Sequence, residues 1–162
     1  MPAGNTYEAI FTETLASAQA SVTFSSIPGT YTDLVIVVAG TLTTGGDNVC
    51  LQFNGDTGSN YSVTTLLGDG SSASSFKTSN TTNCGRDVMS NIQSNAIYNI
   101  NNYSNATTYK TVLGRSNATN YGVRTSVSMW RNTATITSIV IFPTSYTFNT
   151  GTVLSIYGIK SA

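Results

Sequence analysis

The segment 54–60, Asn-Gly-Asp-Thr-Gly-Ser-Asn, is the densest group of potential oxygen ligands in the chain. A calcium site needs about six to eight oxygen ligands, usually with several carboxylates. This segment supplies one carboxylate, Asp56, and has no glycine or glutamate where an EF-hand loop needs one. Asn, Gly and Asp also provide positive φ angles and local hydrogen bonds in hairpin connections. The pattern therefore favours a turn over a calcium site.

Groups that could catalyse a reaction are scarce. The chain has no histidine, so a nucleophilic triad of the usual kind has no base. Glu8 and Glu13 could act as a glycosidase pair only at a separation of ~5–10 Å, and ordinary solvated charges are the favoured interpretation. Residues 44–47, Thr-Gly-Gly-Asp, lack the lysine and the helix of a phosphate-binding loop. The sequence predicts a protein that is not an enzyme and uses no cofactor.

The two cysteines, Cys50 and Cys84, are too few for a disulfide scaffold or a thiolate zinc site. A bridge between them requires Cα atoms within about 7 Å of each other, which spacing along the chain does not establish. We expect free, partly buried thiols and no bound metal.

Charge is sparse and balanced. Charged residues make up 9% of the chain, with seven basic and seven acidic side chains, whereas globular proteins average about 25%. Arg115, Arg124 and Arg131 fall on different predicted strands or turns, so no basic stripe is available for nucleic acid. No apolar run approaches the ~18 residues of a membrane helix, and residues 1–5 lack the features of a signal peptide. Contact with a protein partner is the expected kind of function.

The elements that must position these residues are short β-strands in a single domain spanning residues 1–162. Alternating apolar and polar residues, separated by Gly, Asn, Asp or Pro, predict strands at 21–24, 31–39, 49–53, 61–67, 96–103, 110–115, 122–130, 135–142 and 153–159. Residues 13–19 are the best helix candidate, with a strand end and turn as the alternative. The absence of helical crossovers predicts an all-β fold, an antiparallel β-sandwich of about eight to ten strands.

One predicted strand has two chemically distinct faces. Val123, Thr125, Val127 and Met129 share one face of the segment 122–130, and Arg124, Ser126, Ser128 and Trp130 share the other.

Two further segments lack a core-forming pattern. Residues 68–95 are mostly small and polar, and we expect a long functional or mobile loop there, with a short strand near residues 88–92 as an alternative. Residues 1–7 are expected to form a loose N-terminal arm that orders against a neighbour. The nine tyrosines could form a platform for sugar rings, although core packing or contact between subunits is the favoured interpretation.

Several strings resemble small β-sandwich virion structural proteins of tailed bacteriophages, many of which infect cyanobacteria and other aquatic bacteria. They are FSSIPGTYTDLVI at 24–36, FNGDTGSNYS at 53–62, WRNTA at 130–134 and LSIYGIKSA at 154–162. The resemblance spans nearly the whole chain, but it carries no motif that distinguishes head from tail.

The resemblance implies a jelly-roll-like sandwich that decorates or cements a capsid. Its partner would be the major capsid protein, its assembly a homotrimer, and its location the outer capsid surface after synthesis in the host cytoplasm. The alternative is a tail-fibre or receptor-binding module that recognises host surface glycans. Candidate partner contacts are Pro2, Asn5, Tyr7, Phe76, Lys77, Arg86, Tyr103 and Tyr121.

Overall fold

The computed structural model describes residues 6–160, which form twelve β-strands and no helix. The strands are β1 (Tyr7–Thr14), β2 (Val22–Phe24), β3 (Asp33–Gly40), β4 (Gly46–Phe53), β5 (Tyr61–Gly68), β6 (Ala73–Thr81), β7 (Cys84–Ser90), β8 (Ser94–Asn101), β9 (Lys110–Ala118), β10 (Gly122–Trp130), β11 (Ile139–Pro143) and β12 (Val153–Ile159). They form two packed antiparallel sheets, so the predicted all-β sandwich is confirmed.

The larger sheet has the strand order β1-β12-β3-β8-β9-β10-β5-β6, and the smaller has the order β2-β11-β4-β7. If the β8–β9 hairpin and the outer β1–β12 pair are left out, the remaining strands of the larger sheet follow the order β3-β10-β5-β6. The two four-stranded sheets that result have the strand order of a jelly roll. The hairpin and the outer pair are therefore additions that widen one sheet beyond the other.

The apolar core fills the space between the sheets. Leu34 and Ile36 of β3 are fully buried, as are Phe53, Tyr61 and Trp130 from the ends of β4, β5 and β10. The Trp130 ring lies 5.5 Å from the Phe53 ring and stacks on the Tyr61 ring at 6.3 Å between centroids. Buried aromatic side chains contribute the largest apolar areas to a core, so this cluster fixes the end of the sandwich where β4, β5 and β10 meet.

Each of the nine predicted strands overlaps an observed strand. Strands β1 and β6 were not predicted, and β7 was covered only by the alternative of a short strand near residues 88–92. The expectation of a loop over 68–95 is wrong, because that segment contains β6 and β7 and the start of β8. Strand β6 is an edge strand exposed on both faces, and β7 is buried along almost its whole length. Because the two faces of each of these strands have similar surroundings, apolar and polar residues do not alternate in β6 or β7.

The prediction of a loose arm over residues 1–7 is wrong at Tyr7. Tyr7 begins β1, which pairs with β12 along its length, and Met1–Asn5 lie outside the described residues. The helix candidate at 13–19 is instead the end of β1 followed by bends and an isolated bridge at Gln19.

Candidate interaction surface

Strand β10 is oriented with its hydroxyl-rich face inward and its apolar face outward. Ser126 and Ser128 are 1% exposed and Trp130 is fully buried, whereas Val123 and Val127 are 55% and 52% exposed. In an ordinary half-covered sheet the apolar face packs on the core and the polar face is solvated. The orientation of β10 is the reverse of that rule, and it exposes apolar side chains to the surroundings.

The inner face accepts small polar residues because β7 lies very close to it. Ser126 donates a hydrogen bond to the Asp87 carboxylate at 2.8 Å, and the Gly85 N–H donates to the Ser128 hydroxyl at 3.0 Å. A Cβ at Gly114 of β9 would collide with the Asp87 carboxylate and the Ser126 hydroxyl. Larger apolar side chains would not fit between these strands.

We call this region the polar seam; it consists of Thr65, Asp87, Gly114, Ser116, Arg124, Ser126 and Ser128. Burial raises the pKa of the Asp87 carboxyl to about 6, although the Ser126 hydrogen bond and the Arg124 charge act to lower it. Arg124 donates to the Asn48 side chain and, at 3.2 Å, to the Arg86 carbonyl. Burial lowers the pKa of Arg124.

The seam also contains most of the unmet hydrogen-bonding capacity of the described interior. Five buried side-chain atoms of the described residues have no hydrogen-bond partner: Thr65 Oγ1, Arg86 Nε, Asp87 Oδ1, Ser116 Oγ and Arg124 Nε. Arg86 adjoins the seam through its contact with Arg124, and the other four residues belong to it. Since buried polar atoms are normally hydrogen-bonded, the seam is an energetically costly part of the interior.

On the opposite side of the same strands lies a surface that we call the outer face. Its apolar members are Leu66, Leu113, Val123, Val127 and Met129, which are 39–56% exposed. Val127 stands directly opposite Leu113 on β9 and Thr64 on β5. Direct cross-strand neighbours such as Val127 and Leu113 have Cβ atoms about 5 Å apart, and diagonal neighbours are about 7–8 Å apart. The apolar side chains therefore form one patch in which Thr64, Thr111 and Thr125 are interspersed. Contiguous exposed apolar patches mark sites of interaction.

The outer face carries two positive charges. Lys77 on β6 stands opposite Thr64, and Arg115 on β9 stands opposite Thr125. Both are exposed, and within residues 6–160 neither has an ion-pair partner. The seven carboxylates of the chain lie elsewhere: Glu8 and Glu13 on β1, Asp33 at the start of β3, Asp56 and Asp69 in turns, and Asp47 and Asp87 in the interior.

The candidate contacts predicted from the sequence are scattered over the molecule. Tyr7, on β1, is 59% exposed and lies at the edge of the large sheet opposite to β6. Phe76 and Lys77 are neighbours on β6, but Phe76 is in register with the inward-facing Thr65 and so lies on the other side from Lys77. Tyr121 is exposed in the β9–β10 turn. Of these residues, only Lys77 belongs to the outer face.

Two other candidate contacts require correction, and two cannot be placed. Tyr103 is fully buried, donates a hydrogen bond to the Pro28 carbonyl and accepts one from the Tyr31 N–H, so it is a core residue. Arg86 is half-buried beside the polar seam. Pro2 and Asn5 lie outside the described residues.

Sequence reasoning missed Leu66, Leu113 and Val127. The alternation within 122–130 placed Val127 and its neighbours on one face, and that pattern was the only signal available.

The segment 54–60 is a turn, as predicted, with Asp56 near its centre. It is not a hairpin connection, because the strands that it joins, β4 and β5, belong to different sheets. The Asp56 carboxylate accepts hydrogen bonds from the Trp130 indole at 2.7 Å, from the Asn60 amide and from the Gly58 N–H. Partial burial acts to raise the pKa of Asp56, but these hydrogen bonds outweigh it and lower the pKa. Asn54 and Gly55 both have positive φ. The carboxylate therefore anchors the turn to the buried indole.

The cysteines are free thiols, as predicted, but Cys50 and Cys84 are fully buried and not partly buried, and burial raises the pKa of Cys50 to about 12. Glu8 pairs with Lys160 at 2.5 Å. Glu8 and Glu13 lie five residues apart on one strand, which separates them by roughly 17 Å, too far for a glycosidase pair.

Within the described part of the chain, no group of three or more His, Cys, Asp and Glu side chains could hold a metal ion. Those residues also include no helix long and apolar enough to cross a membrane.

A shallow cleft of about 650 Å³ lies between the β5–β6 and β9–β10 turns. Asp69, Asn120, Tyr121 and Arg124 contribute its polar and aromatic lining. Asp69 already accepts hydrogen bonds from Ser71 and Ser72 of its own turn.

No protein-family profile and no curated protein sequence matches the chain.

Proposed function

We propose that the chain is a structural protein of a bacteriophage virion, and specifically a head decoration or cement protein. It binds the lattice of the major capsid protein on the outer surface of the capsid, as a homotrimer, after synthesis in the host cytoplasm. It works by contact and has no catalytic activity.

The observation that carries this proposal is the reversed orientation of β10. Hydroxyl groups occupy the interior while Val123, Val127 and Met129 face outward. A surface of this kind is costly for a protein that remains alone, because the apolar area stays hydrated. It is expected for a protein whose outer face is covered in its working state.

The resemblance to phage virion proteins adds a second line of support. Two of the matching strings fall on β2–β3 and on β12. The other two fall on the β4–β5 turn and at the end of β10, which are joined by the hydrogen bond from Trp130 to Asp56. These segments belong to the framework of the sandwich and not to one variable loop.

A protein that binds only the assembled lattice stabilises that lattice by mass action. Each subunit interface can be weak, because many copies act on one particle and their contributions accumulate. The sparse and balanced charge of the chain keeps non-specific electrostatic attraction low.

The test compares capsids with and without this protein. Capsids that lack it are expected to release their genome at a lower temperature, and re-addition of the purified protein is expected to restore the wild-type temperature. Quantitative mass spectrometry of intact particles is expected to find hundreds of copies. Capsids that keep full heat resistance without the protein would refute a cement function.

The cleft near Tyr121 favours one second candidate, a tail-fibre or receptor-binding module for host glycans. An exposed tyrosine beside a carboxylate and an amide supplies a stacking surface and hydrogen-bonding groups for a sugar ring. Binding of the purified protein on a glycan array, lost in Tyr121→Ala, together with a few dozen copies or fewer per particle, would favour this function over cementing.

A further inference from the structure

We propose that the outer face of β9, β10, β5 and β6 binds the capsid lattice. The site that it contacts on each lattice subunit would be apolar at its centre and would bear carboxylates at its edge. This inference rests on the proposed function, since it names the part of the molecule that would touch the lattice and the chemistry of the matching surface.

The apolar part of the argument comes from the cross-strand register. Val127 lies between Leu113 and Thr64, and Leu66 stands opposite Thr125 on the same face. Among the strands of residues 6–160, no other buries hydroxyls on one side while exposing two valines and a methionine on the other. The centre of the matching surface must therefore be apolar, because it would otherwise leave polar groups unpaired against these side chains.

The charged part of the argument comes from Lys77 and Arg115. Both lie on the outer face without a carboxylate partner in the described structure. The nearest acidic residue along these strands is Asp69, whose carboxylate is already held by Ser71 and Ser72. Carboxylates on the partner would complement the two cations, and electrostatic complementarity of this kind gives an interface its specificity and its association rate.

The same face of a second copy fits this face poorly. Two copies related by a two-fold axis would present the same patch to each other, and that patch offers cations but no free carboxylate.

Lys77 also argues against occupation of the neighbouring sheet edge. It lies at the middle of β6, the edge strand, and a lysine there is a common device that discourages pairing with a further strand. The face, and not the edge, is left as the surface to be covered.

The experiment uses purified full-length protein and capsids prepared without it. Binding is measured by co-sedimentation at increasing protein concentration. Val127→Asp is expected to weaken binding at least tenfold. Ile92→Asp, at a side chain that is 48% exposed in the β7–β8 turn, is the matched control and is expected to bind like the wild type. Equal melting temperatures of the two variants would confirm that both are folded.

The charge requirement is tested separately. The double variant Lys77→Gln, Arg115→Gln is expected to bind several-fold more weakly and to show a flatter dependence on salt concentration. Lys160→Gln, at an exposed lysine paired with Glu8, is expected to leave both properties unchanged.

The outcomes separate the inference from the proposed function. If the wild type and Val127→Asp bind capsids equally, the cement function stands and the outer face is not the docking surface. If the wild type does not bind capsids, the proposed function fails and this inference fails with it. If analytical ultracentrifugation of the protein alone finds an oligomer that Val127→Asp dissociates, a second copy covers the face and the inference is overturned.

Discussion

Replacing Asp87 with asparagine tests the energetics of the polar seam. Asp87 is fully buried between the sheets, and burial raises the pKa of its carboxyl from the ordinary 3.8 to about 6. A carboxyl whose pKa is higher in the folded state than in the unfolded state contributes stability that is fully present below pH ~4. That contribution is lost as the pH rises through ~6, because the folded protein must then hold a buried charge.

The size of the effect follows from the two pKa values. Each pKa unit is equivalent to about 1.4 kcal/mol, so the difference between 3.8 and about 6 corresponds to about 3 kcal/mol. Asparagine has nearly the same shape as aspartate and remains neutral. The free energy of unfolding of Asp87→Asn, minus that of the wild type, is therefore expected to increase by about 3 kcal/mol between pH 3.5 and pH 7.5.

Guanidinium chloride unfolding of both proteins at half-unit pH steps measures this difference. Subtracting one free energy of unfolding from the other removes the pH dependence that comes from the carboxylates present in both proteins. Asp69→Asn is a control of opposite sign, since hydrogen bonds from Ser71 and Ser72 lower the pKa of Asp69. Its stability contribution is present at neutral pH and is lost as the pH falls.

If the difference in free energy of unfolding between Asp87→Asn and the wild type does not change with pH, the reasoning is refuted. A decrease towards neutral pH would show that Arg86 and Arg124 stabilise the charged carboxylate more than burial destabilises it. A carbon-13 NMR titration of the Asp87 carboxyl provides an independent reading, with a midpoint expected near pH 6.

Three other substitutions have definite expected outcomes. Gly114→Ala should lower the free energy of unfolding by about 1–3 kcal/mol, because its Cβ would overpack against β7. Gly29→Ala, with no atom nearby, is its control, and equal denaturation midpoints would contradict the close approach of β7. Lys77→Thr should cause concentration-dependent association visible by light scattering, because it removes the charge from the centre of edge strand β6; Lys160→Thr should not. Tyr61→Phe should cost about 1–3 kcal/mol in denaturant unfolding, since it removes a buried hydroxyl that accepts from a β4 N–H and donates to a turn carbonyl. An unchanged midpoint would show that solvent replaces both hydrogen bonds.

The sequence was sufficient for the fold class and for most of the strands. Strands such as β3 and β12 have long apolar runs between turn residues, and local patterning identified them. Strand β6 was not predicted because both of its faces are exposed, so small and polar residues occupy both faces and no alternation results. Strand β7 was predicted only as an alternative near residues 88–92, because it is buried on both sides and contains Asp87 and Gly85. Both environments depend on the neighbours of a strand and not on its own residues.

The candidate surface was only half visible in the sequence. The residue types of Phe76 and Tyr103 do not reveal whether they are buried or which face they occupy. Tyr103 is a core residue whose hydroxyl bonds to the Pro28 carbonyl. The outer face instead consists of ordinary strand residues that become informative only when their exposure is known.

The sequence alone determined the missing histidine, the sparse and balanced charge, and the two-residue alternation of β10. Only the tertiary structure decided which of its two faces points inward. Alternation shows which residues of a strand share a face, but it does not show which face is buried. All residues on one face must point to the same side of the sheet. Trp130 packs with Phe53 and Tyr61 in the core. That burial takes Ser126 and Ser128 inward beside β7 and leaves Val123 and Val127 on the outside.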